Sequence, residues 1–421
     1  MPRVTSVLVT PIAFRDPPLL NAVGVHEPWA LRSIIEVETD AGIVGLSETY
    51  GDEPTLRLLA QCSDALVGLD VFDCNALRRV IAATISPTTE GGLSLAPGTT
   101  AATSTARVFA AFEVAFLDAA GKSVGRPVYD LLGGAVRTRV PFSAYLFYKF
   151  ERHRFLDDGW VDPWGEAVNP DQVVRQARRM HELYGFRSIK LKGGVFEPAA
   201  EIEAIKALRG AFTDMPLRID QNAAWTVETT LTQLPLLESL LEYLEDPVGG
   251  IADMAAVQRR ASIPLATNMC VIRFADVAPA IRAGAVKVIL SDHHYWGGLR
   301  ATLELAAMCR VWGIGLSMHS NSHLGISLMA MCHVAAATEN LTYACDTHYP
   351  WQEEEILIGG KIRFDRGAVA LSEAPGLGVE LDRDSLAVLA ANYRTCGIRV
   401  RDDTAEMRRY DPGWTGKTPR F

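Results

Sequence analysis

Six short apolar runs in this chain each end on a side chain that can do chemistry, and they recur at nearly even intervals. Ser188-Ile-Lys-Leu-Lys192 ends on a pair of lysines, and Pro216-Leu-Arg-Ile-Asp220 ends on a carboxylate. Leu241-Glu-Tyr-Leu-Glu245 ends on a second carboxylate, and Pro264-Leu-Ala-Thr-Asn268 on an amide. Val286-Lys-Val-Ile-Leu-Ser-Asp292 and Ile314-Gly-Leu-Ser-Met-His319 add an aspartate and a histidine. From Lys192 onward the successive ends lie 28, 25, 23, 24 and 27 residues apart. Such an interval holds one strand, one crossover helix and two short loops. Polar residues at the carboxyl ends of successive parallel strands are where a (β/α)8 barrel keeps its catalytic groups. The spacing therefore predicts an α/β fold of the (β/α)8 type, and an enzyme.

At 421 residues the chain exceeds one compact core. From Val4 to about Thr49 apolar and polar positions alternate, with a turn at Thr39-Asp-Ala-Gly42, which reads as a small antiparallel sheet. From about Pro54 to Asp130 the pattern is helical. Its clearest piece runs from Val108 to Ala120, with Phe109, Phe112, Phe116 and Leu117 on one stripe and Gly121 as the expected stop. A helix opening at Asn169-Pro170 and closing at Gly185 feeds the lysine strand, and a stripe of Ile202, Ile205 and Leu208 leads to the strand ending at Asp220. The expected division is an α+β capping domain over 1–135, a catalytic barrel over 136–371, and a segment over 372–421 that packs back on the capping domain. A Pro- and Gly-containing loop from Trp160 to Trp164 is expected over the barrel mouth.

Composition removes other classes. With 48% hydrophobic and 22% charged residues the chain reads as a soluble globular protein, and no apolar run approaches the roughly 20 residues of a membrane span. The opening Met-Pro-Arg-Val-Thr-Ser lacks a signal-peptide pattern, so a cytoplasmic protein is expected. Seven scattered cysteines without a C-x-x-C pair suggest free thiols in a reducing compartment. A net charge of −9 with no basic stripe argues against nucleic acid. An anionic substrate would then need a local cluster of Lys, Arg, His and metal.

Asp220, Glu245 and Asn268 offer hard oxygen donors from adjacent strands, which suits Mg²⁺, whereas zinc would want His or Cys. Singly, each reads better as a turn or helix-cap residue; together on consecutive strands the metal reading is the better one. Lys190 and Lys192 point to one face, where burial and like charge would lower a lysine's pKa and make it a base. Asp292 is placed to hold the His319 imidazole, the usual support of a histidine base. His323 follows His319 at helical spacing without the Glu a metalloprotease helix requires, so it reads as structural, and His293 and His294 read as loop residues. Two bases facing one metal-bound carboxylic acid can move the proton on the carbon beside the carboxylate. The result is epimerisation or loss of a β-hydroxyl.

These residues resemble the enolase superfamily, whose Lys or His bases act with Mg²⁺, and within it the glucarate dehydratase family. The segments that carry the resemblance are Tyr184-Gly-Phe-Arg-Ser-Ile-Lys-Leu-Lys-Gly-Gly194, Leu244-Glu-Asp-Pro247, Ala266-Thr-Asn-Met269 and Ser317-Met-His-Ser-Asn-Ser-His-Leu-Gly-Ile-Ser327. The resemblance implies Lys192 as base for one C5 epimer, with Lys190 holding the substrate carboxylate, and His319 with Asp292 as base on the opposite face. It implies one Mg²⁺ on Asp220, Glu245 and Asn268. Substrate contacts are implied at His26, Thr99, Tyr145, Asn222, Ser320, Asn321, His348 and Arg401, the last gripping a distal carboxylate bidentately. The implied reaction is dehydration of D-glucarate, and of L-idarate with epimerisation, to 5-dehydro-4-deoxy-D-glucarate. The alternatives are a dehydratase of another acid sugar such as galactarate, or an inert relative. The implied partner is a small aldarate, with no nucleic acid or membrane, and a homo-oligomer is expected. The sequence departs from the family at Gln221, where Pro is usual, and over Pro97 to Thr103, where Thr99 aligns only by counting back from Glu113.

Overall fold

The computed structural model of the chain describes residues 1–85, 101–156 and 159–421. Its centre is one parallel sheet of seven strands in chain order: Ala144–Phe147, Ile189–Lys192, Leu217–Asp220, Tyr243–Glu245, Leu265–Thr267, Val288–Ser291 and Gly315–Met318. The strands are short and buried at nearly every position, because both faces of a parallel sheet are covered. Their register pairs Lys192 with Asp220 and Asp220 with Glu245, so the strand ends stand level. The segment around Cys345 fills the eighth place. The Cys345 N–H donates to Pro141 O at 2.9 Å, Cys345 O accepts from Ser143 N at 2.8 Å, and the Asp346 N–H donates to Met318 O at 2.8 Å. A single bridge on this segment, in place of a regular ladder, is why no strand pattern marks it in the sequence.

The crossover helices follow their local signals. Pro170–Tyr184 starts at Asn169, whose side chain accepts from Gln172 N, and ends at Gly185 with φ +69°. Pro198–Ala211 buries Ile202, Ile205 and Leu208 against the sheet.

The strands Val4–Arg15, Trp29–Thr39 and Val44–Tyr50 form an antiparallel sheet in that order. The helices Glu53–Ser63, Cys74–Thr84 and Ala101–Val124 close a second core of Ile35, Val37, Leu59, Ile81, Phe109, Phe112 and Phe116. Gly121 does not stop the third helix, which continues to Val124 and ends at Gly125 with φ +67°. The glycine serves close approach instead: a Cβ there would sit 2.6 Å from Arg126 O and 3.0 Å from Gly376 Cα.

Beyond the barrel, Arg383–Thr395 lies on the first strand, with Tyr393 buried against Ala13 and Leu31. The helix Asp403–Tyr410 backs onto Gly24. The last residues reach both parts. The Trp414 indole donates to Val23 O at 2.7 Å and the Arg420 guanidinium donates to Ala22 O, while the Arg420 and Phe421 amides donate to Ala224 O. All seven cysteines are free, and no helix among the described residues is long and apolar enough to cross a membrane.

The Gly121 contact sets two effects against each other. Helix propensity alone favours Gly121→Ala by about 1 kcal/mol, whereas the contact with Arg126 O opposes it. We expect the substitution to lower the midpoint of urea unfolding; a raised midpoint would remove the close-approach role.

Candidate active site

A cavity of about 180 Å³ opens at the carboxyl ends of the barrel strands, lined by Lys192, Asn222, Asn268, His319 and Asn321 from barrel loops. Tyr145, Phe147 and His348 line it as well, with Asn21, Val23, His26, Arg401 and Thr418 from outside the barrel. The sequence reading thus finds most of its residues in one place. Ser320 lies behind the wall, its Oγ accepting from His348 N at 3.2 Å, and Thr99 falls outside the described residues.

Lys192 donates to Asp220 Oδ2 at 2.7 Å and to Asn222 Oδ1 at 2.8 Å. Lys190 does not line the cavity. It is fully buried beneath, donating to Asp346 Oδ2 at 2.7 Å and lying 2.6 Å from Glu245 Oε2. Burial alone would lower its pKa, as the lysine spacing predicts, but Asp346 and Glu245 hold it well above the ordinary lysine value. The strand geometry explains the reversal: the face shared by the two lysines is the barrel interior, and there the carboxylates outweigh the like charge. In this arrangement Lys190 is engaged by protein carboxylates.

Asp220, Glu245 and Asp246 bring carboxylate oxygens within 4.8 Å of one another, all buried. Burial pushes Glu245 well above the usual carboxylate range against the pull of Lys190, which pairs with Oε2, while Oε1 has no hydrogen-bond partner among the described residues. Buried, mutually close carboxylate oxygens, one of them without a partner, are a fit for a hard dication. Asp246 is already engaged, accepting from Thr267 Oγ1 at 2.5 Å and Asn268 N at 2.8 Å, so it buttresses Asn268, whose side chain faces the cavity. Among the described residues, three of the four non-glycine residues at positive φ are Asn222, Ala223 and Asp246. Strain of this kind persists where surrounding structure holds a site in shape.

His319 Nδ1 lies 3.2 Å from Asp292 Oδ2 and 3.5 Å from the Tyr295 hydroxyl. With Nδ1–H directed to Asp292, Nε2 carries the lone pair of a base. Burial would raise the Asp292 carboxyl, but His294 and His319 hold it well below the usual range. His323 is structural, as its spacing suggests: Nδ1 meets Ser327 Oγ at 2.9 Å and Nε2 meets Thr347 Oγ1 at 2.8 Å.

Asp16 gathers the outer part of the site. Its carboxylate accepts from His26 Nδ1 at 3.1 Å, Arg401 Nη1 at 3.0 Å and Ser322 Oγ at 2.9 Å. Burial opposes ionisation there, but His26 and Arg401 draw the pKa down to about 2. Arg401 also directs Nε and Nη2 at Asp403, at 2.7 and 3.1 Å. Its Nε–Nη2 fork therefore meets Asp403.

Sequence reasoning missed Asp16, Tyr295 and Asp346 because none ends a marked apolar run; only the eight-strand count could have pointed to Asp346. Gln221, the departure from the family, is buried and accepts from Gly194 N at 2.8 Å, tying the loop after Lys192 to the loop after Asp220. Trp160 to Trp164 do not line the cavity: Trp164 packs on Trp351 with ring centroids 4.9 Å apart, and the C-terminal Thr418 takes the place at the mouth.

Comparison with known proteins gives the same frame. Residues 4–133 match the mandelate racemase / muconate lactonizing enzyme N-terminal domain, and residues 172–385 match the enolase C-terminal domain-like family. A probable glucarate dehydratase of Streptomyces coelicolor is 51% identical over 428 residues, 99% of both chains. An enolase structure from Mycobacterium smegmatis complexed with tartrate is 54% identical, with TM-score 0.95, covering 100% of this chain and 99% of that one. One from Pseudomonas fluorescens with bound magnesium, potassium and tartrate is 53% identical, with TM-score 0.97 and the same coverage. With both domains matched in order and half of all residues shared with full-length relatives, this chain is a member of the enolase superfamily.

Proposed function

We propose that the protein is a Mg²⁺-dependent acid-sugar dehydratase that converts D-glucarate, and its C5 epimer L-idarate, to 5-dehydro-4-deoxy-D-glucarate. The observation that carries the reading is one small cavity lined by Lys192 and by the Asp292-held His319, with buried carboxylates between their strands and with His26 and Arg401 also in its wall. The relative named probable glucarate dehydratase and the neighbours holding magnesium and tartrate, a hydroxylated diacid, support it.

Asp220, Glu245 and Asn268 would hold the ion. When bound, Mg²⁺ supplies the positive charge that acidifies the carbon beside a carboxylate. His319 Nε2 takes the C5 proton of glucarate, and the C5–H electron pair moves into the C4–C5 bond. As the C4–O bond breaks, His319 returns the proton to the departing hydroxide, which leaves as water. The enol then becomes the 5-ketone. Lys192 takes the C5 proton of idarate from the other side, and return of a proton by the opposite base interconverts the epimers. Asn222 keeps the Lys192 ammonium directed, and Arg401 with His26 receives the second carboxylate at an edge of the Asp16–Asp403 cluster.

Purified protein with Mg²⁺ should release α-keto acid from glucarate and idarate, give little from galactarate, and fall silent with EDTA. Product from galactarate alone would keep the chemistry and move the substrate. No product and no solvent deuterium in any aldarate would remove the reading. Arg401→Lys keeps the charge but loses the planar fork that orders the cluster, so kcat/KM for glucarate should fall about 10- to 100-fold, consistent with ~1.5–3 kcal/mol for hydrogen bonds to charged groups. A change below about threefold, measured with an unaltered melting temperature, would take Arg401 out of substrate binding.

A further inference from the structure

A buried chain of hydrogen bonds runs from the capping sheet to His319. Arg32, on the strand Trp29–Thr39, is 2% exposed and donates through Nε to Glu48 Oε1 at 3.0 Å. Its Nη2 lies 2.8 Å from His294 Nε2. His294 Nδ1 lies 2.7 Å from Asp292 Oδ1, and Asp292 Oδ2 is the oxygen that meets His319 Nδ1. Glu48 is itself fixed, accepting from Leu324 N at 2.8 Å and Ser327 N at 3.0 Å, just beyond the catalytic loop.

The direction of these bonds follows from what each group can do. A guanidinium has donors only, so the His294 nitrogen facing it must offer a lone pair. The ring proton then sits on Nδ1, aimed at Asp292. Asp292 therefore divides its charge between two imidazole N–H groups, one structural and one reactive. The close grouping of Asp292, His293 and His294 is not a cation site on this view, because the Arg32 guanidinium abuts it and His294 and Asp292 satisfy each other.

We propose that Arg32 is a positioning residue for the His319 base, acting through His294 and Asp292 to fix the orientation of His319 and how readily it takes a proton. The inference rests on the reading of His319 as the base for D-glucarate. It gives the capping domain a part in the chemistry as well as in covering the mouth. Besides Asp292, the groups facing His319 are Tyr295, with Lys192 and His348 in the same cavity wall, and Arg107, whose charge bears on Asp292 and Tyr295. The variants below leave all of them in place.

Arg32→Lys keeps a cation beside Glu48 but cannot span Glu48 and His294 together, which leaves His294 Nε2 to Ser327 Oγ at 3.2 Å and no longer fixes the ring proton on Nδ1. His294→Phe removes the ring donor to Asp292 and keeps the backbone N–H on Oδ1. In both, the ring donation to Asp292 is weakened or lost while the backbone N–H of residue 294 stays on Oδ1, so more of the Asp292 charge falls on His319 and favours its imidazolium. The His319 ring, followed by ¹⁵N NMR in metal-free protein, should then titrate about half a pH unit or more higher than in wild type. The acid limb of kcat/KM for glucarate should move the same way, with activity at neutral pH down several-fold, while Lys192-dependent deuterium exchange into idarate changes less than twofold. The double variant should shift no further than either single one, since the two act in series. An unmoved His319 titration in both variants, or equal losses on both epimers, would overturn the proposal. Because the NMR titration needs no turnover, it judges this chain of contacts even if wild type dehydrates neither epimer.

Discussion

Parallel pairing makes the strand ends level, and everything at this site depends on that. Once Lys192, Asp220 and Glu245 share one rung of the sheet, their charges have to be resolved within a few ångströms and away from water. Isolated buried charge is expensive, and the barrel meets the cost by interleaving signs. Lys190 sits between Glu245 and Asp346, Arg218 donates to Glu242 and approaches Asp346, and Lys192 leans on Asp220. The interleaving is incomplete at Glu245, whose Oε1 is left without a donor, and that is where a hard cation would complete it.

The barrel supplies reactive groups but does not enclose them. Enclosure comes from three pieces distant in sequence: the loop carrying His26, the helix and loop carrying Arg401, and the C-terminal tail. Asp16 joins the first two to the loop after His319, through Ser322. The tail holds the His26 loop from outside, through Trp414 and Arg420 on Val23 and Ala22. Arg32 and Glu48 make a deeper connection of the same kind. The outer wall of the cavity is thus tied by polar bonds, costly where one buried partner is left unpaired, beside the apolar packing of Leu20, Ala22 and Val25.

What could be read from the sequence follows from which signals are local. Strand periodicity and the helix caps at Asn169 and Gly185 are local, so the βα rhythm and the strand-end residues were legible, and so was the support of His319 by Asp292. Gly121 misled because its reason is close approach, to Arg126 O just past the helix and to Gly376 255 residues away, and neither contact leaves a trace in the helical pattern. Lys190 misled because the alternation that put it beside Lys192 says nothing of Asp346, which comes from a segment without a strand pattern. Arg401 was found by resemblance, yet its fork is turned to Asp403, two residues along the chain. Asp16 and the Arg32–His294 contact stayed hidden because both depend on the cap meeting the barrel, which no short stretch of sequence encodes.

Two bases that divide the labour in one cavity would leave opposite stereochemical signatures, and one isotope experiment reads both. His319→Asn enzyme would be incubated with Mg²⁺ in D₂O, with D-glucarate and L-idarate in separate samples, and followed by ¹H NMR. We expect no dehydration of glucarate and no deuterium at its C5, while idarate still exchanges its C5 proton through Lys192. Loss of exchange from both epimers, or persistence of glucarate dehydration, would contradict it.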